Sequence, residues 1–138
     1  NGRFDTIQAA ILLAKLPHFE DELLSRERIA SRYQAALGEL CSTPRTMEGN
    51  THVFAQYSIR VPNRDAVRKR LADRGIPTAV HYSKGLHQQP VFAVGDTPLS
   101  FPHTELAAAE VLNLPMHPFL SDDDQDRVVA GLTQALAD

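Results

Sequence analysis

Between His52 and Val61 every second residue is apolar: Val53, Ala55, Tyr57, Ile59 and Val61. Side chains of an extended chain alternate between two faces, so this period of two predicts a strand over 52–61 with one buried face. Such a strand cannot stand alone; the rest of the chain must supply its partners and its cover. Pro77-Thr78-Ala79-Val80-His81-Tyr82 reads as a second strand running into a long loop, and Val111 to Leu114 as a short third strand ending at Pro115. The stretches between them are helical. Pro62 ends the first strand, and Asn63 caps a short helix whose Val67 and Leu71 face inward, with Arg64, Arg68, Lys69 and Arg70 toward water. Gly75 stops that helix. Alanines favour a helix over 105–110. Val128, Val129, Leu132 and Leu136 mark a last one, which Ser121 and Asp124 open as a weak capping box.

Two helices precede this block. Asp5 is a good cap for a helix carrying Ile7, Ala10, Ile11 and Ala14, and Pro17 ends or kinks it. A second helix carries Phe19, Leu23, Ala30, Tyr33 and Leu37 as a stripe, with Glu20, Asp21 and Glu22 at its start and Gly38 near its end. Residues 41–51 are rich in Ser, Thr, Pro, Gly and Asn and read as a loop. The expected fold is α+β: a small, mainly antiparallel three-stranded sheet with helices packed on one face, preceded by two helices. The order leaves open whether the first two strands pair directly or leave a gap for the third. One domain is expected over 1–138, with linking helices over 1–40 and the sheet-and-helix body over 41–138.

Of the 138 residues, 43% are apolar and 22% charged, enough to bury a core, so disorder throughout is not expected. A net charge of −3 argues against a dedicated nucleic-acid binder. The apolar runs fall short of the roughly 20 residues a bilayer span needs. The single Cys41 fits a reducing compartment, and a cytoplasmic protein is expected. The chain opens on Asn1-Gly2-Arg3-Phe4-Asp5 without an initiator Met and enters a helix at once, as expected of a segment from within a longer polypeptide.

Carbonyl–amine chemistry calls first for a lysine. The chain has Lys15, Lys69 and Lys84. Lys69 lies in a basic helical face, Lys15 closes a helix, and Lys84 sits in the loop after Tyr82, so none has the setting of a Schiff-base lysine. No pair among His18, His52, His81, His87, His103 and His117 has the i, i+4 spacing of a helical zinc site, and Cys41 has no partner cysteine. No metal is expected. The cluster Arg64, Arg68, Lys69, Arg70 and Arg74 lacks interleaved aromatics and reads as a wet helix face. Two places stand out. Asn1 and Arg3 bracket a glycine ahead of a helix, where amide and guanidinium donors suit an anionic phosphate or carboxylate; helix capping is the plainer reading. His81 and Tyr82 finish a strand and lead into Gly85, His87 and Gln89-Pro90; they are either ligand contacts or half-buried aromatics closing the strand.

At these places the chain resembles a known family. Asn1-Gly2-Arg3-Phe4-Asp5-Thr6-Ile7-Gln8-Ala9-Ala10 is similar to the Asn-x-Arg-x-Asp-x-x-Gln-Ala-Ala segment of the DegT/DnrJ/EryC1/StrS sugar aminotransferases. Val80-His81-Tyr82 with Leu86-His87-x-Gln89-Pro90-x-Phe92 resembles their second signature, and Leu112-Asn113-Leu114-Pro115-Met116 their Leu-x-Leu-Pro-Met run. Ser83 stands where many members have Pro. The resemblance implies the C-terminal small domain of a fold-type-I aminotransferase, active as a homodimer. It implies pyridoxal 5'-phosphate held mainly by an upstream domain that carries the Schiff-base lysine, so no catalytic residue is expected in this chain. Asn1 would reach the cofactor phosphate of the other subunit, and Arg3 would serve that same site as a substrate contact near the sugar's substituents or the phosphate, while His81 and Tyr82 line the nucleotide-sugar pocket. Glutamate would be the amino donor and a keto-sugar on a nucleotide the acceptor. The opening helices look closest to members acting on UDP-linked 3-keto uronic acids in bacterial surface-polysaccharide (O-antigen) synthesis. The competing expectation is a non-catalytic ligand-binding or dimerisation module of a lysine-less sensor relative.

Overall fold

The computed structural model describes residues 2–92 and 99–138. Helix α1 spans Thr6–Lys15 and starts at Asp5, whose side chain accepts from the N–H of Gln8 at 2.8 Å. Pro17 breaks the helical run as expected: a 3-10 turn over Leu16–His18 separates α1 from α2, Phe19–Leu37. Helix α1 buries no residue. In α2 the buried residues are Ile29, Ala30, Tyr33 and Leu37, three of them spaced by four, so only its C-terminal half presents a continuous stripe to the core.

The sheet has two antiparallel strands, β1 (Tyr57–Arg60) and β2 (Val111–Leu114), with Tyr57 opposite Leu114 and Ile59 opposite Leu112. The expected third strand over 77–82 is reduced to one antiparallel bridge. Ala79 donates to the Asn113 carbonyl at 3.2 Å, and Asn113 donates back at 2.8 Å. On the far edge Arg60 donates to the carbonyl of Ser42 at 2.9 Å. The order across the sheet is therefore 79, β2, β1, 42, and the chain's last strand fills the gap between the first and the 77–82 segment. The first strand is also shorter than its alternation predicts. Phe54 adopts φ 45°, its N–H bonded to Nδ1 of its stacked neighbour His52 at 2.8 Å and its carbonyl to Arg26 at 3.1 Å. That left-handed step turns the chain off the extended path, so the pattern holds inward only at Tyr57, Ile59 and Val61.

Helix α3 (Arg64–Asp73) follows Asn63, which sits at φ 51° with no side-chain cap bond. It ends where expected. Gly75 at φ +71° donates to the Ala72 carbonyl, and Ile76 donates to the Leu71 carbonyl, both at 2.9 Å, a Schellman closure. Arg64 does not face water as its place in the basic run predicts. Its side chain is 6% exposed and donates to Asp65 at 2.7 Å and to the Val111 carbonyl at 2.9 Å, so it ties α3 to the start of β2. Helix α4 (Pro102–Glu110) begins three residues earlier than its alanines suggest, with Pro102 in its first turn. Helix α5 (Asp122–Ala137) is capped by Ser121 Oγ, which accepts from the N–H of Asp124 at 3.1 Å.

One core joins these elements: Ile29, Tyr33 and Leu37 of α2, Tyr57 and Ile59 of β1, Leu71, Leu112, Val128 and Leu132. Each fully buried aliphatic side chain contributes about 1.5–3 kcal/mol. Gln125, 1% exposed, is anchored by donating to the Ile29 carbonyl at 2.7 Å, and Arg28 and Arg32 pair with Asp122 across the same α2–α5 seam. The hydrogen bond from Arg28 chiefly holds the Asp122 carboxyl below its ordinary range. The Tyr33 and Tyr57 rings meet at 5.0 Å. Tyr33 donates to the Pro115 carbonyl at 3.0 Å, whereas the buried Tyr57 hydroxyl has no partner among the described residues. Burial pushes the Tyr57 phenol up to about 12 and the Cys41 thiol up to about 11, so Cys41 is no activated nucleophile.

Candidate functional site

Residues 77–82 leave the sheet edge immediately after the bridge at Ala79, so His81 and Tyr82 emerge at a point the sheet holds fixed. Asn113, 5% exposed, is what holds it. Its backbone makes both bridge bonds, while its side chain accepts from Ser58 at 3.1 Å and donates to Gln56 at 3.0 Å. His81 and Tyr82 are both exposed, Tyr82 at 77%, with their rings edge-on at 5.6 Å. The reading of them as half-buried aromatics that finish a strand therefore fails on exposure.

A cleft of about 450 Å³ lies between the segment 81–85 and α4. His81, Tyr82, Lys84, His103 and Thr104 supply its polar walls, with Ala107, Ala108 and Val111 among the residues beneath. His81 also lines a second depression of about 290 Å³ with Gln56, Asn113 and Met116. Just beyond Gly85 the chain is tied to α4. After Gly85 the chain makes a 3-10 turn over Leu86–Gln88, closed by the Gly85 N–H donating to Gln88 Oε1 at 3.0 Å. That turn swings His87, whose side chain is 8% exposed, onto Glu105 at 3.0 Å. Glu105 also accepts from the N–H of Phe101 at 2.8 Å, and the Phe101 ring packs edge-on to His87 at 4.9 Å. The Phe101 bond first and the His87 bond second keep the Glu105 carboxyl below its ordinary range. A Cβ at 85 would sit 2.7 Å from His87 Cε1 and 2.8 Å from a Thr104 methyl, so a side chain there would have to push these groups aside.

The structure brings His81 and Tyr82 together, and with them Lys84. Arg3 is exposed ahead of α1 and lines neither depression; Asn1 lies outside the described residues. Sequence reading missed the pairing of His87 with Glu105 and the approach of His103 and Thr104. These are contacts between residues 18 or more apart, and no local period marks them. Among the lysines, Lys69 pairs with Asp73 at 2.8 Å on an open face, and Lys15 and Lys84 are exposed. None is desolvated in the way that makes a lysine a good Schiff-base former.

The same small sheet on a helical core recurs in solved aminotransferase structures. A crystal structure of a DegT/DnrJ/EryC1/StrS aminotransferase from Brucella abortus overlays with a TM-score of 0.88 at 42% identity, over 96% of this chain and 36% of that one. NtdA of Bacillus subtilis, solved with bound cofactor PMP, overlays at 0.81 and 30% identity, over 95% of this chain and 32% of that one. The chain belongs to the DegT/DnrJ/EryC1/StrS aminotransferase family, whose sequence profile matches residues 1–133. It is 42% identical over 134 residues to the UDP-2-acetamido-2-deoxy-3-oxo-D-glucuronate aminotransferase of Pseudomonas aeruginosa. That match takes in 96% of this chain and 37% of the relative, so the chain spans little more than a third of that protein's length. No described helix is long and apolar enough to cross a membrane.

Proposed function

We propose that this chain is the C-terminal domain of a cytoplasmic, homodimeric, pyridoxal-phosphate-dependent aminotransferase. It transfers the amino group of glutamate to a keto-sugar carried on a nucleotide, a UDP-linked 3-keto uronic acid used in bacterial surface polysaccharide. The observation that carries the reading is the exposed His81–Tyr82 pair, which follows the Ala79–Asn113 bridge and lines a cleft against α4. The likeness to the P. aeruginosa enzyme supports the substrate class. When bound, the cofactor supplies an electron sink for the carbon losing its proton. His81 and Tyr82 orient the sugar by hydrogen bonds to its hydroxyls. Arg3 offers its guanidinium fork to the sugar carboxylate in the other subunit's site, a bidentate match that a lysine could not make. Asn1 donates to the cofactor phosphate across the same interface. The Schiff-base lysine belongs to a part of the protein outside these residues.

The test is a comparison of this 138-residue chain with the complete gene product, each given pyridoxal phosphate, glutamate and a UDP-3-keto uronic acid. The complete protein should turn over, and Arg3→Ala should cost it more with the acid than with a neutral UDP-3-keto sugar. The chain alone should show no turnover, and borohydride should trap cofactor on none of its lysines. Turnover by the chain alone, with one lysine specifically labelled, would sink the proposal. A complete protein that binds the nucleotide sugar without turnover would turn the reading to the lysine-less sensor.

A further inference from the structure

The stretch 80–84, which carries His81 and Tyr82, is held by its ends. Among the described residues, the nearest bonds are those of Ala79 on one side and those of the turn beginning at Gly85 on the other. The first end belongs to the sheet, through the Ala79–Asn113 bridge. The second end needs an attachment of its own. The bonds of the 3-10 turn are internal to it: Gln88 donates to the Gly85 carbonyl and Gln89 to the Leu86 carbonyl, both at 3.0 Å. They shape the turn without fastening it to anything. Apolar burial does not fasten it either, because Leu86 is 75% exposed. Gly85 is buried near Thr104 but has no side chain to anchor there. The fastening is His87. Its buried side chain places Nε2 3.0 Å from Glu105 Oε1 and its ring edge-on to Phe101. Glu105 is held in α4 independently, by the Phe101 N–H that donates to it at 2.8 Å.

We propose that His87 and Glu105 are positioning residues: their bond fixes the far end of the stretch 80–84 and so sets where His81 and Tyr82 stand when the nucleotide sugar arrives. The inference rests on the aminotransferase reading for the identity of that ligand. With both ends fastened, the exposed rings start from one place. With the far end released, the stretch keeps its residues and loses its place, and binding has to order it. That cost is the same in the bound ground state and in the transition state, so it falls on KM and leaves kcat alone. The carboxylate suits the task because it accepts from two N–H groups at once, one on the turn and one at the start of α4. Since the Phe101 bond orients Glu105 without help from His87, the tie can be cut at His87 while α4 keeps its first turn.

The experiment uses the complete gene product. His87→Phe keeps a ring in the buried place and removes the bond; Glu105→Gln keeps an oxygen that can accept from both N–H groups. Tyr82→Phe is made alone and together with His87→Phe. Calorimetry with UDP-glucuronate, which has no keto group to react, reads affinity. Steady-state kinetics with a UDP-3-keto uronic acid read KM and kcat, and thermal melts read stability. His87→Phe should weaken UDP-glucuronate binding and raise KM roughly three- to tenfold, the scale of one hydrogen bond, with kcat near the parental value. Glu105→Gln should keep most of the affinity. In the double variant Tyr82→Phe should cost less than it does in the parent, because a displaced ring no longer delivers its hydroxyl. A lowered melting temperature with parental affinity would make the pair merely structural and overturn the proposal, as would additive effects in the double variant. A parent that neither binds UDP-glucuronate nor turns over the keto-sugar removes the aminotransferase reading and this inference with it. A parent that does both, with His87→Phe unchanged, removes the positioning role alone.

Discussion

Tyr82 carries one hydroxyl on an exposed ring, and what that hydroxyl does separates binding from folding. At 77% exposure the ring takes little part in packing, so Tyr82→Phe should leave the melting temperature within error of the parent. In the complete enzyme the same change should raise KM or lower kcat/KM, with a loss of about 0.5–1.5 kcal/mol for a neutral hydrogen-bond partner and more for a charged one. Thermal melts and steady-state kinetics on one preparation read both quantities; a destabilised variant with parental kinetics would retire Tyr82 from the pocket. Arg64 shows the opposite balance. It stands in a run of five cationic residues over 64–74, and sequence alone reads it as solvated. Its guanidinium instead meets the Val111 carbonyl and Asp65, which satisfies the charge where the stem is buried. Its i, i+3, i+7 spacing with Val67 and Leu71 puts it on the buried stripe of the helix, whereas Arg68 lies further round and stays exposed.

Between elements, the tightest approach is that of α5 to the turn after α3. Gly131, in mid-helix, is buried against Ile76 and Leu71, and a Cβ built on it would run into Ile76 Cδ1. The glycine costs α5 about 1 kcal/mol of helix propensity relative to alanine, and it is kept because the Schellman turn brings Ile76 onto that spot. Gly131→Ala should therefore fail to give the stabilisation that propensity promises. We expect a net loss of about 1 kcal/mol, since overpacking costs about 1–3 kcal/mol. The clash resides at the end of one flexible side chain, so Ile76→Val in the same chain should recover part of the loss. Urea melts on the two single variants and the double variant measure this coupling; additive effects would mean that Ile76 moves aside at no cost and that the contact does not explain the glycine.

Over the whole molecule, apolar surface is distributed unevenly. The core gathers α2, both strands, α3 and α5, while Ile7, Ile11, Leu12, Leu13 and Leu16 around α1 are 52–75% exposed. A patch of this kind on a folded chain marks a surface that another protein surface covers. The chain at high concentration should therefore self-associate through α1 and bind a hydrophobic dye. Ile7→Glu with Leu13→Glu should lower the sedimentation-average mass and the dye signal and leave the melting temperature unchanged, because α1 buries nothing in the core. A parent chain that sediments as a monomer at all concentrations and binds no dye would remove α1 as an association surface.

Features that depend on neighbours along the chain are legible in the amino-acid sequence by itself. The break at Pro17, the start of α5 at Ser121, the stop at Gly75 and the strand Val111–Leu114 all stand where local chemistry puts them, because caps, glycine turns and proline act within about one helical turn. The motifs pointing to the family are equally legible, since they are strings of adjacent residues. Tertiary structure decided the rest. Alternation over 52–61 is a statement about faces, and it fails where Phe54, tied to Arg26 some 28 residues away, takes a left-handed turn. Residues 77–82 have strand composition but only one position that meets a partner, and β2 had to occupy the intervening place before that bridge could form. The cleft also required α4 to bring His103, Thr104 and Glu105 to a loop about twenty residues earlier. The sequence lists those side chains; only long-range packing sets which of them face one another.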